Sequence, residues 1–502
     1  MELRGKHVLI LGLGESGLAS ALWCARQGAR VRVADTRAAP PYLEELHRRV
    51  SSADFCSGEF DKALLDGIDL LVLSPGLSGG LMVVIHARAA GIPVVGEIEL
   101  FAQALRSLGR NVPVLAITGT NGKTTTTALT GHLLRATGKT VGVAGNISPA
   151  ALTALMDAQD ADALPQIWVL ELSSFQLETT ETLYPAAATV LNISDDHLDR
   201  YIDLDEYASA KARIFQSAEG APGVQVLNRA DARVRRMALA DRHIISFGLD
   251  APVAGEDFGL RMNRGEAWIV QGERFLLPVS GLPLAGLHNA ANAMAALALC
   301  TSLGFDANAL LPALRSFRGL PHRVEKVAEI DGVSWYDDSK GTNVGATVAA
   351  LTGLGGLGRK IVLIAGGDGK GQDFSPLVKA VAKHARAAVL IGRDGPLIEK
   401  AILASGVAIE SATDMGDAVR RAHSLAQDGD AVLLSPACAS FDMFRNYEHR
   451  AQVFVAAVHA LEGAGRRAAP RQAQSATRNS AGGGMNQDRP LPREGGGGEG
   501  KS

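Results

Sequence analysis

The stretch AITGTNGKTTTT, residues 116–127, places two glycines, a lysine and a run of hydroxyls directly after the apolar segment VPVL. An apolar strand that runs into a glycine-rich turn and then a helix is a phosphate cradle. Its backbone N–H groups surround the anion, its lysine acts as a point charge, and its first hydroxyl faces a magnesium ion. On this reading the amides from Gly119 to Lys123 ring the phosphates, Lys123 reaches the outer ones, and Thr124 offers its hydroxyl to Mg²⁺. The pattern departs from G-x-x-x-x-G-K-[ST], because Ile117 holds the place of the first glycine and Gly119 stands three residues before Gly122.

Other residues could work on what this cradle holds. In QIWVLELSSFQLE, Glu171 ends an apolar run, where an α/β sheet presents ligand groups, and a carboxylate there suits Mg²⁺; a strand-end acid facing solvent is the alternative. His197 in NISDDHLDR also follows an apolar run, with Asp195 and Asp196 beside it. Lys211 has Tyr207, Ala208, Ile214 and Phe215 at helical spacing, so it shares an apolar stripe and lacks an acidic partner. Burial would favour its neutral amine, which can take up carbon dioxide to form a metal-bridging carbamate; the other reading is a lysine that snorkels out of the stripe.

Near the N-terminus, GLGESG sets Gly12, Gly14 and Gly17 in G-x-G-x-x-G spacing, and Asp35 ends the next apolar run. That turn suits a dinucleotide, tight packing or another phosphate-bearing ligand, and the following Thr36 and Arg37 could hold a uracil or a phosphate. Toward the other end, WYDDSKGTN, AGGDGKGQDF and SPACASFDMF each follow a strand-like run. Lys340, Thr342, Lys370 and Ser440 in these turns could hold a ligand with two carboxylates. Cys438 has no nucleophile-elbow pattern and no base at identifiable spacing, so it reads as a small buried residue.

These turns need sheets to position them. HVLILG, ARVRVAD, DLLVLS, IPVVG, VPVLAIT, QIWVLEL, AATVLNIS, KIVLIAGG, AAVLIG and AVLLSP alternate with Ala- and Leu-rich helical stretches, which predicts parallel α/β layers. The chain of 502 residues suits about three domains. The expected boundaries are 1–98, 99–320 and 321–464, with a small antiparallel insertion or loops over 228–285. Residues 465–502 carry almost no large apolar side chains and are expected to form a disordered tail. Fifty basic and 53 acidic residues give a formal charge of −3, so no basic excess points to nucleic acid or a membrane surface. Cys24, Cys56, Cys300 and Cys438 lack C-x-x-C spacing, which suits a reducing cytoplasm. Neither an export signal nor an 18-residue apolar span is read.

Taken together, TGTNGKTT, LELSSFQLE, NISDDHLDRY with Lys211 downstream, GLHNAANA, GLPHR, DDSKGTN and SPACASFDMF resemble the Mur ligases of peptidoglycan synthesis, in order across roughly residues 5 to 460. The run Ser339-Lys340-Gly341-Thr342 is similar to that of the members that add D-glutamate to UDP-N-acetylmuramoyl-L-alanine. The resemblance implies N- and C-terminal Rossmann-like sheets flanking a central P-loop-type ATPase domain, and a monomer that activates the sugar-linked acid with ATP as an acyl phosphate. It implies two Mg²⁺ ions, and catalysis by Lys123, Glu171, His197 and a carbamylated Lys211, with Thr124, Glu171, His197 and Lys211 serving the metals. ATP would be held by Gly119, Thr120, Asn121, Gly122, Lys123, Thr124, Thr125, Asn292, Arg323 and Asp338. The UDP substrate would meet Gly14, Ser16, Asp35, Thr36, Arg37, Ser74, Gly76, Asn146 and His197, and D-glutamate would meet Lys340, Thr342, Lys370, Ser440 and Tyr447. Two positions depart from the family: Ser148 stands where glycine is frequent, and Tyr447 where phenylalanine is common. A folylpolyglutamate synthetase would share the central chemistry without the N-terminal domain. An NAD-dependent dehydrogenase would leave the phosphate turn unexplained, and a non-catalytic nucleotide switch would leave Lys211 and DDSKGTN idle.

Overall fold

A computed structural model describes residues 2–109, 112–196, 200–216, 223–284, 286–356 and 358–468. The apolar runs become strands because their side chains are buried on both faces, as in HVLIL and VLAIT. Three sheets form in chain order. The first holds β1 (His7–Leu11), β2 (Arg30–Asp35), β3 (Asp54–Ser57), β4 (Leu70–Leu73) and β5 (Val94–Val95). Its order is β3-β2-β1-β4-β5, and every pair is parallel.

The second sheet comprises β6 (Val114–Thr118), β7 (Val141–Gly145), β8 (Ile167–Glu171), β9 (Ala187–Val190), β10 (Val224–Asn228), β11 (Ile244–Phe247), β12 (Phe258–Asn263), β13 (Glu266–Gln271) and β14 (Arg274–Pro278). Its order is β14-β13-β12-β11-β10-β9-β6-β8-β7. The antiparallel part expected over 228–285 is present as β12, β13 and β14, but it is not a separate insertion. Phe247 of β11 pairs in parallel with Phe258, so the meander extends the edge of the central sheet.

The third sheet holds β15 (Glu325–Ile330), β16 (Val333–Asp337), β17 (Ile361–Gly366), β18 (Ala385–Ile391), β19 (Ala408–Ser411) and β20 (Ala431–Leu434), in the order β15-β16-β20-β17-β18-β19. All its pairs are parallel except β15 with β16. The last helix, Tyr447–Ala468, continues four residues past the expected end of the third domain, and the rest of the expected tail lies outside the described residues.

In each sheet the strand order reverses beside a central strand: β1 between β2 and β4, β6 between β8 and β9, β20 between β16 and β17. Open parallel sheets bind ligands at such switch points, beyond the carboxyl ends of the strands. The helix Glu97–Ser107 joins the first sheet to the second. Phe101 on it packs edge-on against Trp168 of β8, with ring centroids 5.1 Å apart. Such a pair contributes about 1 kcal/mol beyond its area burial. Glu99 on the same helix accepts from the Glu181 and Thr182 N–H groups and the Thr182 hydroxyl, which fastens it to the central unit.

Candidate active site

At the first switch point, the turns after β1 and β4 enclose a cavity of about 410 Å³ lined by Gly14, Ser16, Asp35, Thr36, Arg37, Ser74, Gly76 and Asn146, among others. A Cβ at Gly17 would lie 2.0 Å from the Gly12 carbonyl oxygen, so the helix Glu15–Arg26 can start this close to the turn only with glycine there. Asp35 sits differently from a dinucleotide-binding acid. Its Oδ1 accepts from the Arg37 backbone N–H and Nε, and its Oδ2 accepts from Arg37 Nη2 and the Leu13 N–H. Four bonds fill a carboxylate, leaving nothing for a ribose hydroxyl. The Arg37 side chain holds the Asp35 carboxyl down at about 2. Asp35 therefore serves this cavity by orienting Arg37.

At the second switch point, the turn after β6 is shaped by two left-handed glycines, Gly119 with φ 145° and Gly122 with φ 83°. A Cβ on Gly122 would come within 2.4 Å of Asn292 Oδ1, which places Asn292 against the cradle. Not all the expected amides face a ligand. The Thr120 N–H donates to the Asn192 carbonyl at 2.9 Å, and the Asn121 N–H to Asn192 Oδ1 at 2.8 Å. Asn192 Nδ2 returns a bond to the Asn121 carbonyl. The first intrahelical bond runs from the Thr126 N–H to the Gly122 carbonyl, so the amides of the first turn, Lys123 to Thr125, precede it. Lys123 Nζ folds over the loop and donates to the Gly119 and Thr120 carbonyls, each at 2.8 Å. Burial lowers its pKa, while Glu171 and Asp196 pull the other way.

Glu171 is buried at the end of β8. Its Oε1 accepts from Asn146 Nδ2 at 2.7 Å, and its Oε2 has no hydrogen-bond partner among the described residues. An orphaned buried carboxylate oxygen is costly unless a cation meets it, so this site fits Mg²⁺. Lys211 is 1% exposed, with Nζ 3.4 Å from Thr118 Oγ1 and 4.6 Å from the Tyr207 ring centroid. The snorkelling alternative is thereby excluded. Its pKa is lowered well below the usual lysine value, first by burial and then by Lys123. His197 lies outside the described residues. Asp196 lines the cavity, while Asp195 is exposed.

A cavity of about 640 Å³ joins this centre to the third unit; its lining includes Thr120 to Thr124, Asn146, Ser148, Glu171, Asp196, Arg323, Lys340, Thr342 and Tyr447. Arg323 Nη2 donates to the Thr124 hydroxyl at 2.7 Å, and Asn343 Nδ2 approaches Asn121 Oδ1 at 3.4 Å and Asp196 Oδ2 at 3.3 Å. A smaller adjoining cavity is lined by Gly122, Thr125, Asn292, Arg323 and Asp338, among others. Burial pushes the Asp338 carboxyl up to about 7 although it accepts from Ser435 Oγ. Lys340 Nζ sits 3.6 Å from the Tyr447 ring centroid, a close cation–π contact.

Two residues expected beside Lys340 do not line either cavity. Lys370 is exposed in a tight turn, with φ 51° and its N–H held by Asp368 Oδ1. Ser440 is buried, and its carbonyl accepts from the Met443 and Phe444 N–H groups. Both sit on loops joined by the bridge between Asp368 and Ala439. Cys438 is buried and its thiol pushed up to about 12 by desolvation, in keeping with a packing role.

Sequence reasoning missed Asn192, Asn343 and Glu15. Glu15 lines the first cavity and accepts from the Ser148 hydroxyl at 2.6 Å and the Ala150 N–H at 3.1 Å. The serine that departs from glycine is thus a contact between units. Asn146, two residues before it, lines both the cavity beside Arg37 and the one beside Lys340.

Three family models match the chain: "Mur ligase MurD-like, N-terminal domain" over residues 6–96, "Mur ligase middle domain" over 117–300 and "Mur ligase, glutamate ligase domain" over 322–438. The UDP-N-acetylmuramoylalanine–D-glutamate ligase of Aromatoleum aromaticum is 60% identical over 465 residues, covering 91% of this chain and 98% of that protein. The protein of the same name from Nitrosomonas europaea is 53% identical, covering 92% and 98%. The fold is also that of MurF from Acinetobacter baumannii, with a TM-score of 0.56 at 18% identity over 90% of this chain and 91% of that one. The UDP-N-acetylmuramate-alanine ligase MurC from Thermotoga maritima gives 0.55 at 22%, over 91% and 99%. With three domain models in order and relatives this similar over nearly their whole length, the chain belongs to the Mur ligase family.

Proposed function

We propose that the chain is an ATP-dependent ligase that joins D-glutamate to UDP-N-acetylmuramoyl-L-alanine, releasing ADP and phosphate, in peptidoglycan precursor synthesis. The observation that carries this reading is that one cavity brings the phosphate cradle and Lys340 together, and shares Asn146 in its lining with the cavity beside Arg37. A substrate with its nucleotide by Arg37 and Ser74 would extend its acid past Asn146 toward Lys123. Names of the relatives supply the same substrates. The dehydrogenase reading is disfavoured because the Asp35 carboxylate is saturated. A folylpolyglutamate synthetase is disfavoured by the N-terminal match over residues 6–96.

A carboxylate is a poor electrophile, so its oxygen must first take the γ-phosphoryl group of ATP. The first-turn amides of helix Lys123–Ala136 would hold the phosphates, and Lys123 would leave the loop carbonyls to balance their charge. Asn292 and Asp338 would hold the rest of the nucleotide in the smaller cavity. Mg²⁺, when bound, supplies charge neutralisation at the transferring phosphoryl group. Glu171, Thr124 and a carbamylated Lys211 would hold it, with His197 as a further ligand. Lys340, Thr342 and Tyr447 would hold D-glutamate with its amine facing the acyl carbon. Amine attack then forms the amide and expels phosphate, and holding both reactants in one cleft supplies much of the rate. The reading takes the chain as a monomer acting on small molecules in the cytoplasm, with no nucleic-acid or membrane partner. Among the described residues no helix is long and apolar enough to cross a membrane.

Phosphate release from ATP, measured with each candidate amino acid and with or without the UDP-muramoyl substrate, checks the assignment. Release should require both that substrate and D-glutamate. Release driven by a folate with L-glutamate, or without any amino acid, would refute it.

A further inference from the structure

An amine attacks only when neutral, and amino acids carry an ammonium group at neutral pH, so a group in the amino-acid cavity must take a proton before the C–N bond forms. Of the residues assigned above to D-glutamate in this cavity, Thr342 and Tyr447 are neutral hydroxyls, and Lys340, although burial lowers its pKa, is engaged over the Tyr447 ring.

His322, immediately before Arg323, lines the same cavity. Its backbone has φ 62°, a left-handed conformation uncommon for a residue with a side chain. Three contacts fix it. Its N–H donates to Glu325 Oε2 at 2.9 Å, and its carbonyl accepts from the Lys340 N–H at 3.2 Å. Its Nδ1 lies 2.7 Å from Oδ2 of Asp337, a carboxylate at the end of β16 with no exposed side-chain surface. The other Asp337 oxygen accepts from the Ser339 N–H at 2.9 Å. His322, Glu325 and Asp337 are close enough to suggest a metal site, but Glu325 is exposed and the acids are already engaged with His322 and Ser339. With Nδ1 held by a carboxylate, Nε2 is the nitrogen left to face a ligand. The Tyr447 ring stands edge-on 6.3 Å from the imidazole, and Lys340 covers that same ring, so the histidine borders the pocket proposed for D-glutamate.

We propose that His322, oriented by Asp337, is the general base that deprotonates the attacking amine. The inference rests on the ligase reading above. The D-glutamate ammonium gives one proton to His322 Nε2, and the buried Asp337 carboxylate stabilises the resulting imidazolium. The neutral nitrogen then forms the C–N bond at the acyl carbon. The C–O bond to phosphate breaks with its electron pair, the departing phosphate takes the second nitrogen proton, and His322 returns its own to solvent.

The test compares two nucleophiles on the same activated acid. Hydroxylamine is already neutral near pH 7 and captures an acyl phosphate as a hydroxamate without needing a base. The His322→Asn side-chain amide can still donate to Asp337 but cannot accept the proton. At saturating D-glutamate, the ratio of ligation rate to hydroxamate rate should fall at least about a hundredfold in His322→Asn. It should also fall, by less, in Asp337→Asn, which serves as the second variant if the first does not fold. A ratio that stays at the wild-type value, with both rates intact or lowered in step, would overturn the proposal and leave His322 a positioning residue. Failure of the wild-type protein to form ATP-dependent hydroxamate would instead refute the acyl-phosphate reading itself.

Discussion

The residue that most constrains the chemistry is Lys211, because a cation in that position works against its surroundings. It is buried, and Lys123 faces the same centre, so two ammonium groups compete for the field of Glu171 and Asp196. On the proposed reading, a carbamate formed from the neutral amine would remove the repulsion and would offer a ligand for Mg²⁺ beside Glu171. Lys211→Ala should lower ligation by on the order of 10²–10³-fold, the scale of losing a preorganised charge partner. Added short-chain carboxylic acids should restore part of it by filling the space; a variant indifferent to them would argue for an ordinary lysine. The sequence alone left this position open, because a lysine without an acidic partner on an apolar stripe can also snorkel out of it; the family resemblance singled it out, and burial in the fold excludes the snorkelling reading. Saturation of Asp35 and the withdrawal of Lys370 and Ser440 from the cavity were not legible in the sequence, since both depend on how a turn closes on itself.

At the scale of elements, the first sheet and the central unit meet at the N-terminus of the helix Ala151–Asp160. Two carboxylates cap it: Glu15 takes the Ala150 N–H, and Glu97 takes the Leu152 N–H at 2.5 Å. Acids favour that end of a helix. Glu97 is fully enclosed, and burial pushes its carboxyl from 4.5 to about 7, with Glu15 adding repulsion. Between those values the folded chain keeps a proton that the unfolded chain has lost. Its contribution is therefore complete below about 4.5 and fades as pH rises to about 7. Glu97→Gln should remove that slope: unfolding free energies from denaturant titrations at about pH 5 and pH 8 should differ less in the variant than in the parent, by up to on the order of 3 kcal/mol. Equal differences in the two proteins would mean that Glu97 is ionised throughout.

The strands were readable because runs such as VLAIT and IVLIAG are apolar on both faces, which only a covered parallel sheet requires. The β12–β14 meander was harder, since its strands are half exposed and polar residues interrupt the pattern. Sequence spacing carries no record of which units meet. Glu15 with Ser148, Arg323 with Thr124 and Asn343 with Asn121 are separated by 133, 199 and 222 residues, and only the packing of the sheets brings them together.

In the whole molecule, the central sheet's switch point shares one cavity with the first unit and another with the third, and each sheet contributes something the others lack. The first has a cavity with a guanidinium and hydroxyls, the second a phosphate cradle beside an orphaned carboxylate oxygen, and the third a lysine over an aromatic ring. Asn146 stands where the first two join, 2.7 Å from Glu171. The arrangement makes sense if the acid end of a long substrate passes Asn146, receives a phosphoryl group and is met from the third unit by an amine. The most direct measurement follows an oxygen atom. With the carboxylate of the UDP-linked acid labelled with ¹⁸O, turnover in the presence of ATP and D-glutamate should deliver label into the inorganic phosphate released. Phosphate free of label after complete conversion would contradict the acyl-phosphate account.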